Sequence, residues 1–113
     1  MKLIIAYVQP ERMNDVKEAL RAAGVGRMSV TNSMGCGSQL GYSESYRGSV
    51  VEVNLLKKVR FEIAVNDDFE DIAIDAIVKA ARTDSIGDGK IFVVPLSRTV
   101  RIRTGEEGGE AIG

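Results

Sequence analysis

Cationic side chains set among glycines are the chemistry this sequence offers. Gly87-Asp88-Gly89-Lys90 puts two glycines, an acid and a lysine into one turn. Glycine lets backbone N–H groups approach phosphate oxygens closely, and Lys90 adds charge of the matching sign. The same four residues also suit an ordinary turn with a solvated lysine, and they form neither a Walker loop nor a G-x-G-x-x-G fingerprint. Arg101 and Arg103 fall on one face of an expected strand, where two guanidinium groups can grip a polyphosphate or simply decorate an edge. Lys58 points to the polar side of its strand, as a ligand for an anion or as a solvated charge. Gln39 lies in a loop where its side-chain oxygen could serve a hard cation, although loop glutamines are commonly just polar. Cys36 sits between glycines with nothing nearby to depress its pKa, which favours an inert thiol. Tyr42 and Tyr46, in a polar stretch, suit contact with a partner or plain exposure.

What is missing narrows the field further. The 113 residues contain no histidine, which removes Ser-His-Asp and Cys-His catalysis, imidazole metal sites and the usual neutral-pH proton shuttle. Fifteen Lys and Arg against sixteen Asp and Glu give a formal charge of −1, so no global field collects nucleic acid or an anionic membrane. Few aromatics, 5%, and no stacking motif speak against RNA. The single cysteine permits no internal disulfide and fits a reducing cytoplasm. The apolar start, Leu3 to Val8, is too short for a signal peptide or a membrane span. One domain, residues 1–113, with one core is expected at this length and 44% hydrophobic content.

The elements that must position these residues follow from periodicity. Residues 2–8 are apolar on both alternating faces, so both faces should be covered. Met13, Val16, Leu20 and Ala23 recur at helical spacing, with Gly24 as the stop, predicting a helix over about 11–23. A strand over 28–34 gives way to a long stretch without periodicity, the kind of segment that usually carries function. Val51, Val53 and Leu55 alternate, and then Val59, Phe61, Ile63 and Val65 mark a half-buried strand. Asp67 and Glu70 read as a capping box for a second helix ending near Arg82. A strand at 91–94, a short strand at 99–103 and a tail from Thr104 to Gly113, mobile unless a ligand or partner holds it, complete the chain. The order predicts an α+β, ferredoxin-like βαββαβ sandwich with a long loop between its second and third strands. Helices cover only one face of such a sheet. Leaving the aliphatic side chains of the other in water costs roughly 1.5 to 3 kcal/mol each, so a homo-oligomer is expected.

Several segments together resemble the PII nitrogen-regulatory family over the whole chain. Thr83-x-x-x-Gly87-Asp88-Gly89-Lys90-Ile91-Phe92-Val93 is similar to its C-terminal signature, and Val100-Arg101-Ile102-Arg103-Thr104-Gly105-Glu106 to its closing segment. Gly35-x-Gly37-x-Gln39-x-Gly41 and Tyr46-Arg47-Gly48-Ser49 resemble the base and tip of its T-loop. The resemblance implies a non-enzymatic homotrimer that binds ATP or ADP in the clefts between subunits. Its T-loop would be about residues 36–55, its B-loop 82–90 and its C-terminal loop 102–113. It implies a nucleotide site from Gly37, Gln39, Glu62, Gly87, Asp88, Gly89, Lys90, Arg101 and Arg103, with Glu62 on the nucleoside and the arginines reaching in from the neighbouring subunit. Gln39 would help ligate a magnesium that bridges ATP to 2-oxoglutarate, itself contacted by Gln39, Gly41 and Lys58. Tyr42, Glu44, Tyr46, Arg47 and Ser49 would meet a target, such as an ammonium transporter entered by Arg47 or an enzyme of nitrogen and carbon metabolism.

The sequence also departs from the family. The tip tyrosine uridylylated in many bacteria is matched by Val51, so that modification has no acceptor; Ser49 stands at a position phosphorylated in some relatives. Gln9 and Ser38 replace two usual arginines, removing positive charge near the ligand pocket. Alternatives are a divergent sensor of adenine nucleotides or of another small anion such as bicarbonate, and an ACT-like module that binds amino acids.

Overall fold

Alternation along the two central strands divides one sheet into an inner and an outer face. The computed structural model describes residues 1–36, 42–43, 52–53 and 55–113. Strand β1 (Lys2–Val8) leads into helix α1 (Met13–Ala22), then β2 (Ser29–Cys36). The two-residue strands β3 (Tyr42–Ser43) and β4 (Glu52–Val53) pair with each other, and β5 (Leu55–Val65) follows. Helix α2 (Glu70–Ala81), β6 (Gly89–Pro95) and the short α3 (Gly109–Ile112) complete the order. The main sheet runs β2-β5-β1-β6 with every neighbour antiparallel. This is the ferredoxin-like arrangement expected from the sequence, with β3 and β4 added between its second and third strands.

The inner face makes the core. Ile4, Ala6 and Val8 of β1 and Val59, Phe61, Ile63 and Val65 of β5 are buried with Val16 and Leu20 of α1 and Ala73, Ile77 and Ala81 of α2. Sealing side chains of this size contributes about 1.5 to 3 kcal/mol apiece. On the outer face Leu3, Ile5 and Tyr7 are half-buried, whereas Phe92 and Val94 remain 50% and 42% exposed. Tyr7 and Phe92 meet edge to face at 6.4 Å. Only one of the two apolar faces is therefore covered within one chain.

Several expectations need correction. Helix α1 starts at Met13 rather than near 11, because Pro10–Arg12 form a 3-10 turn closed by Arg12 N–H on the Gln9 carbonyl. No capping box forms at α2. Asp67 instead takes the Met1 ammonium at 2.7 Å and Lys2 at 3.3 Å, while Glu70 takes Lys2 at 3.0 Å. Those contacts, the Glu70 hydrogen bond first, raise the Lys2 pKa above its ordinary value. The strand expected at 99–103 is reduced to a single bridge between Val100 and Glu107. Gly105, at φ +74, reverses the chain there, and its N–H bonds the Arg101 carbonyl at 2.8 Å.

The tail folds back on the end of β5. Asn66 Nδ2 donates to the Gly109 carbonyl at 3.1 Å, and Gly108 N–H bonds the Thr99 carbonyl at 3.0 Å. The sequence hid this because Asn66, the donor that ties the tail to the end of β5, lies far from Gly109 along the chain. Among the described residues no helix is long and apolar enough to cross a membrane.

Candidate functional site

The turn between α2 and β6 is built from its own side chains and from the strands beside it. Asp88 accepts the Thr83 N–H at 2.7 Å and also the Thr83 hydroxyl, stapling the turn shut. The hydroxyl first and the amide second hold the Asp88 carboxyl below the usual carboxylate range. The Gly87 carbonyl accepts Gln9 Nε2 at 3.2 Å and Lys58 Nζ. Gly89 has φ +106, and a Cβ there would overlap the Tyr7 carbonyl oxygen and lie 2.8 Å from its carbon. A side chain at 89 is thus forbidden by the pairing of β6 with β1, quite apart from any ligand. Lys90 is exposed and makes no hydrogen bond or ion pair with the described residues. A groove of about 360 Å³ runs beside it, lined by Val8, Ile77, Ala81, Arg82, Asp88 and Gly89 among others.

The remaining cations lie at the opposite end of the sheet. β1 pairs Val8 with Gly89 at one end and Lys2 with Pro95 at the other, and Leu96 N–H then bonds the Met1 carbonyl. Seven residues of strand span roughly 20 Å. Arg101 is engaged by its own segment: Nη1 donates to Glu106 at 2.7 Å and Nη2 to the Glu110 carbonyl at 2.8 Å. Arg103, in the turn that follows, is exposed and has no such partner among the described residues. The two arginines do not share a strand face, since no strand forms there. One holds the segment and the other projects from it.

Glu62 lines a second hollow of about 440 Å³, with Leu3, Met28, Ala64 and Ile112 as apolar walls and Arg27, Ser29 and Thr99 as polar ones. Its carboxylate pairs with Arg60 at 3.3 Å, and the Arg60 guanidinium lies over the Tyr7 ring at 5.9 Å. The Arg60 Nε is buried with no hydrogen-bond partner among the described residues. Sequence reading passed over Arg60, Arg27 and Met28. Arg60 was within reach of it, because it alternates with Lys58 and Glu62 along β5.

The expected site residues thus sort into two groups. Gly87, Asp88, Gly89, Lys90 and Lys58 gather at the Val8 end, joined by Gln9. Glu62, Arg101 and Arg103 belong with the C-terminal segment and its hollow. Gly37, Ser38, Gln39, Gly41, Glu44, Tyr46, Arg47, Ser49 and Val51 lie outside the described residues, and of Cys36 and Tyr42 only the backbone is described. The family model described as Nitrogen regulatory protein P-II matches residues 1–106. This chain belongs to the nitrogen regulatory protein P-II family.

Similarity to individual P-II proteins covers nearly all of both partners. The Nitrogen regulatory protein P-II of Cereibacter sphaeroides is 50% identical over 112 residues, 99% of this chain and 100% of that protein. The Nitrogen regulatory protein P-II 2 of Methanothermobacter thermautotrophicus is also 50% identical, over 99% and 97% of the two chains. The Nitrogen regulatory protein P-II 1 of Escherichia coli K12 is 48% identical over 99% and 100%. P-II proteins are regulators of nitrogen signalling rather than enzymes, and membership replaces the ACT-like alternative.

Proposed function

We propose that this P-II protein binds ATP and ADP in sites completed between copies of the chain, and that the bound nucleotide sets the shape of the T-loop offered to a target. The observation that carries the reading is the separation of the two cationic groups by the length of β1. A polyphosphate held by Lys90 and the Gly87–Gly89 backbone cannot also meet Arg103 of the same chain. A neighbouring copy can supply it, and packing of the outer face around Tyr7, Phe92 and Val94 brings copies together while burying apolar surface. A homotrimer, as the family resemblance implies, supplies one such cleft per pair of neighbours. The hollow beside Glu62 suits a nucleoside, with apolar walls for the base and a carboxylate to accept from ribose hydroxyls.

Magnesium would accompany ATP through Gln39. 2-Oxoglutarate would pair with Lys58, and an ammonium transporter or an enzyme of nitrogen and carbon metabolism in the cytoplasm would receive the T-loop. One observation favours the narrower reading, a nucleotide sensor without 2-oxoglutarate or one responding to another small anion such as bicarbonate. The Lys58 amine is already taken by the Gly87 carbonyl, and its neighbour at position 9 is a neutral glutamine.

Calorimetric titration of ATP and ADP, with and without magnesium and 2-oxoglutarate, separates the two readings. Lys90→Ala and Arg103→Ala should each weaken nucleotide binding about tenfold, as loss of a charged hydrogen bond to phosphate does. Unchanged affinity in both would end the proposal. Phe92→Glu should dissociate the assembly and abolish binding together, read by sedimentation and titration of the same sample.

A further inference from the structure

Among the described residues, the Gly87 carbonyl receives side-chain donors that come from β5 and from just beyond the end of β1. Gln9 Nε2 reaches it at 3.2 Å, and Lys58 Nζ reaches it from β5. All three residues are half-buried. Among the described residues the turn is otherwise closed upon itself, by Asp88 on Thr83, before β6 pairing begins at Gly89.

We propose that Gln9 and Lys58 form a redundant clamp that positions the Gly87–Lys90 backbone for the nucleotide. The inference rests on the nucleotide-binding reading above and adds two positioning residues to it. While either donor remains, the carbonyl is satisfied; with both gone, a half-buried acceptor loses its side-chain partners among the described residues, and with them the described ties of the turn to the sheet ahead of Gly89.

Redundancy predicts non-additivity. ADP titrations on the assembled wild-type protein, Gln9→Ala, Lys58→Met and the double variant should show about a twofold loss for Gln9→Ala. Lys58→Met should lose more, because it also removes a charge near the phosphates. The double variant should lose about tenfold beyond the product of the two. Amide hydrogen exchange at residues 87–90 should quicken in the double variant alone, with the amides of β1 and β5 unchanged. Losses that simply multiply, or exchange that quickens equally in one single variant, overturn the clamp. If the double variant does not fold, Gln9→Met with Lys58→Met removes both donors at nearly constant volume without adding charge, and the same two outcomes, read against the matching single variants, decide. Should the wild-type protein fail to bind ADP, the nucleotide reading falls, and the exchange pattern still decides the clamp by itself.

Discussion

The two cation-bearing regions of this chain are held in place by different physics. The turn at 83–90 is fixed from within the sheet: β6 approaches β1 so closely at Gly89 that no side chain fits, and the Gly87 carbonyl is held by residues of the β1 end and of β5. The C-terminal segment is held by a few backbone bonds, by Asn66 on the Gly109 carbonyl and by ion pairs near its surface, Arg98 to Glu107 at 2.6 Å and Arg101 to Glu106 at 2.7 Å, with one arginine also holding the backbone. A contact set by strand pairing is insensitive to salt. One set by exposed charges is weak and screened. The turn should therefore behave as a rigid platform and the segment as an adjustable arm.

Glycine substitutions give the largest test of that difference. Gly89→Ala should destabilise the protein by about 3 kcal/mol or more, since the strained φ and the overlap with the Tyr7 carbonyl act together. Gly105→Ala has a similar φ, +74, but open space around it. It should cost only about 1 kcal/mol. Denaturant unfolding of the two variants measures the gap, and equal losses would mean that the turn is no more rigid than the arm.

Arg101→Met should come next, at about 1 to 2 kcal/mol, by freeing the Glu106 carboxylate and the Glu110 carbonyl. Amide exchange should then rise across residues 105–112 and not at 83–90. Raising the salt concentration should reproduce a weaker form of the same pattern in the wild-type protein.

Acid should act in the opposite place and by the smallest amount. Folding lowers the Asp88 pKa, so its contribution is present above the unfolded carboxylate range and is lost as pH falls through the folded value, below about pH 4. Amides of the 83–88 turn should loosen there, and Asp88→Asn should remove that pH dependence. Proton-exchange profiles between pH 2 and 5 report it.

Periodicity made much of the fold legible. Val59, Phe61, Ile63 and Val65 alternate because one face of β5 is the core, and that pattern survives in the local sequence. The turn at Gly87-Asp88-Gly89-Lys90 was equally visible, because glycine and aspartate carry their conformational meaning with them. The C-terminal segment was misread for the opposite reason. Val100, Arg101, Ile102 and Arg103 alternate like a strand, but the groups that decide their conformation are Glu106, Glu107 and the Glu110 carbonyl, brought close only by the reversal at Gly105. Ile102, fully exposed, shows that the alternation there buries nothing on the inner side. The apparent capping box failed similarly, since Lys2, distant in sequence, outcompetes the local amides for Asp67 and Glu70.

The length of β1 has a consequence for how the molecule would respond to its own abundance. If the proposed cradle needs both groups of cations, a solitary chain would hold its two ends about 20 Å apart and could not close them on one ligand. Dilution that separates the copies would then weaken nucleotide binding, so that sensitivity to the nucleotide pool would rise with the amount of protein present.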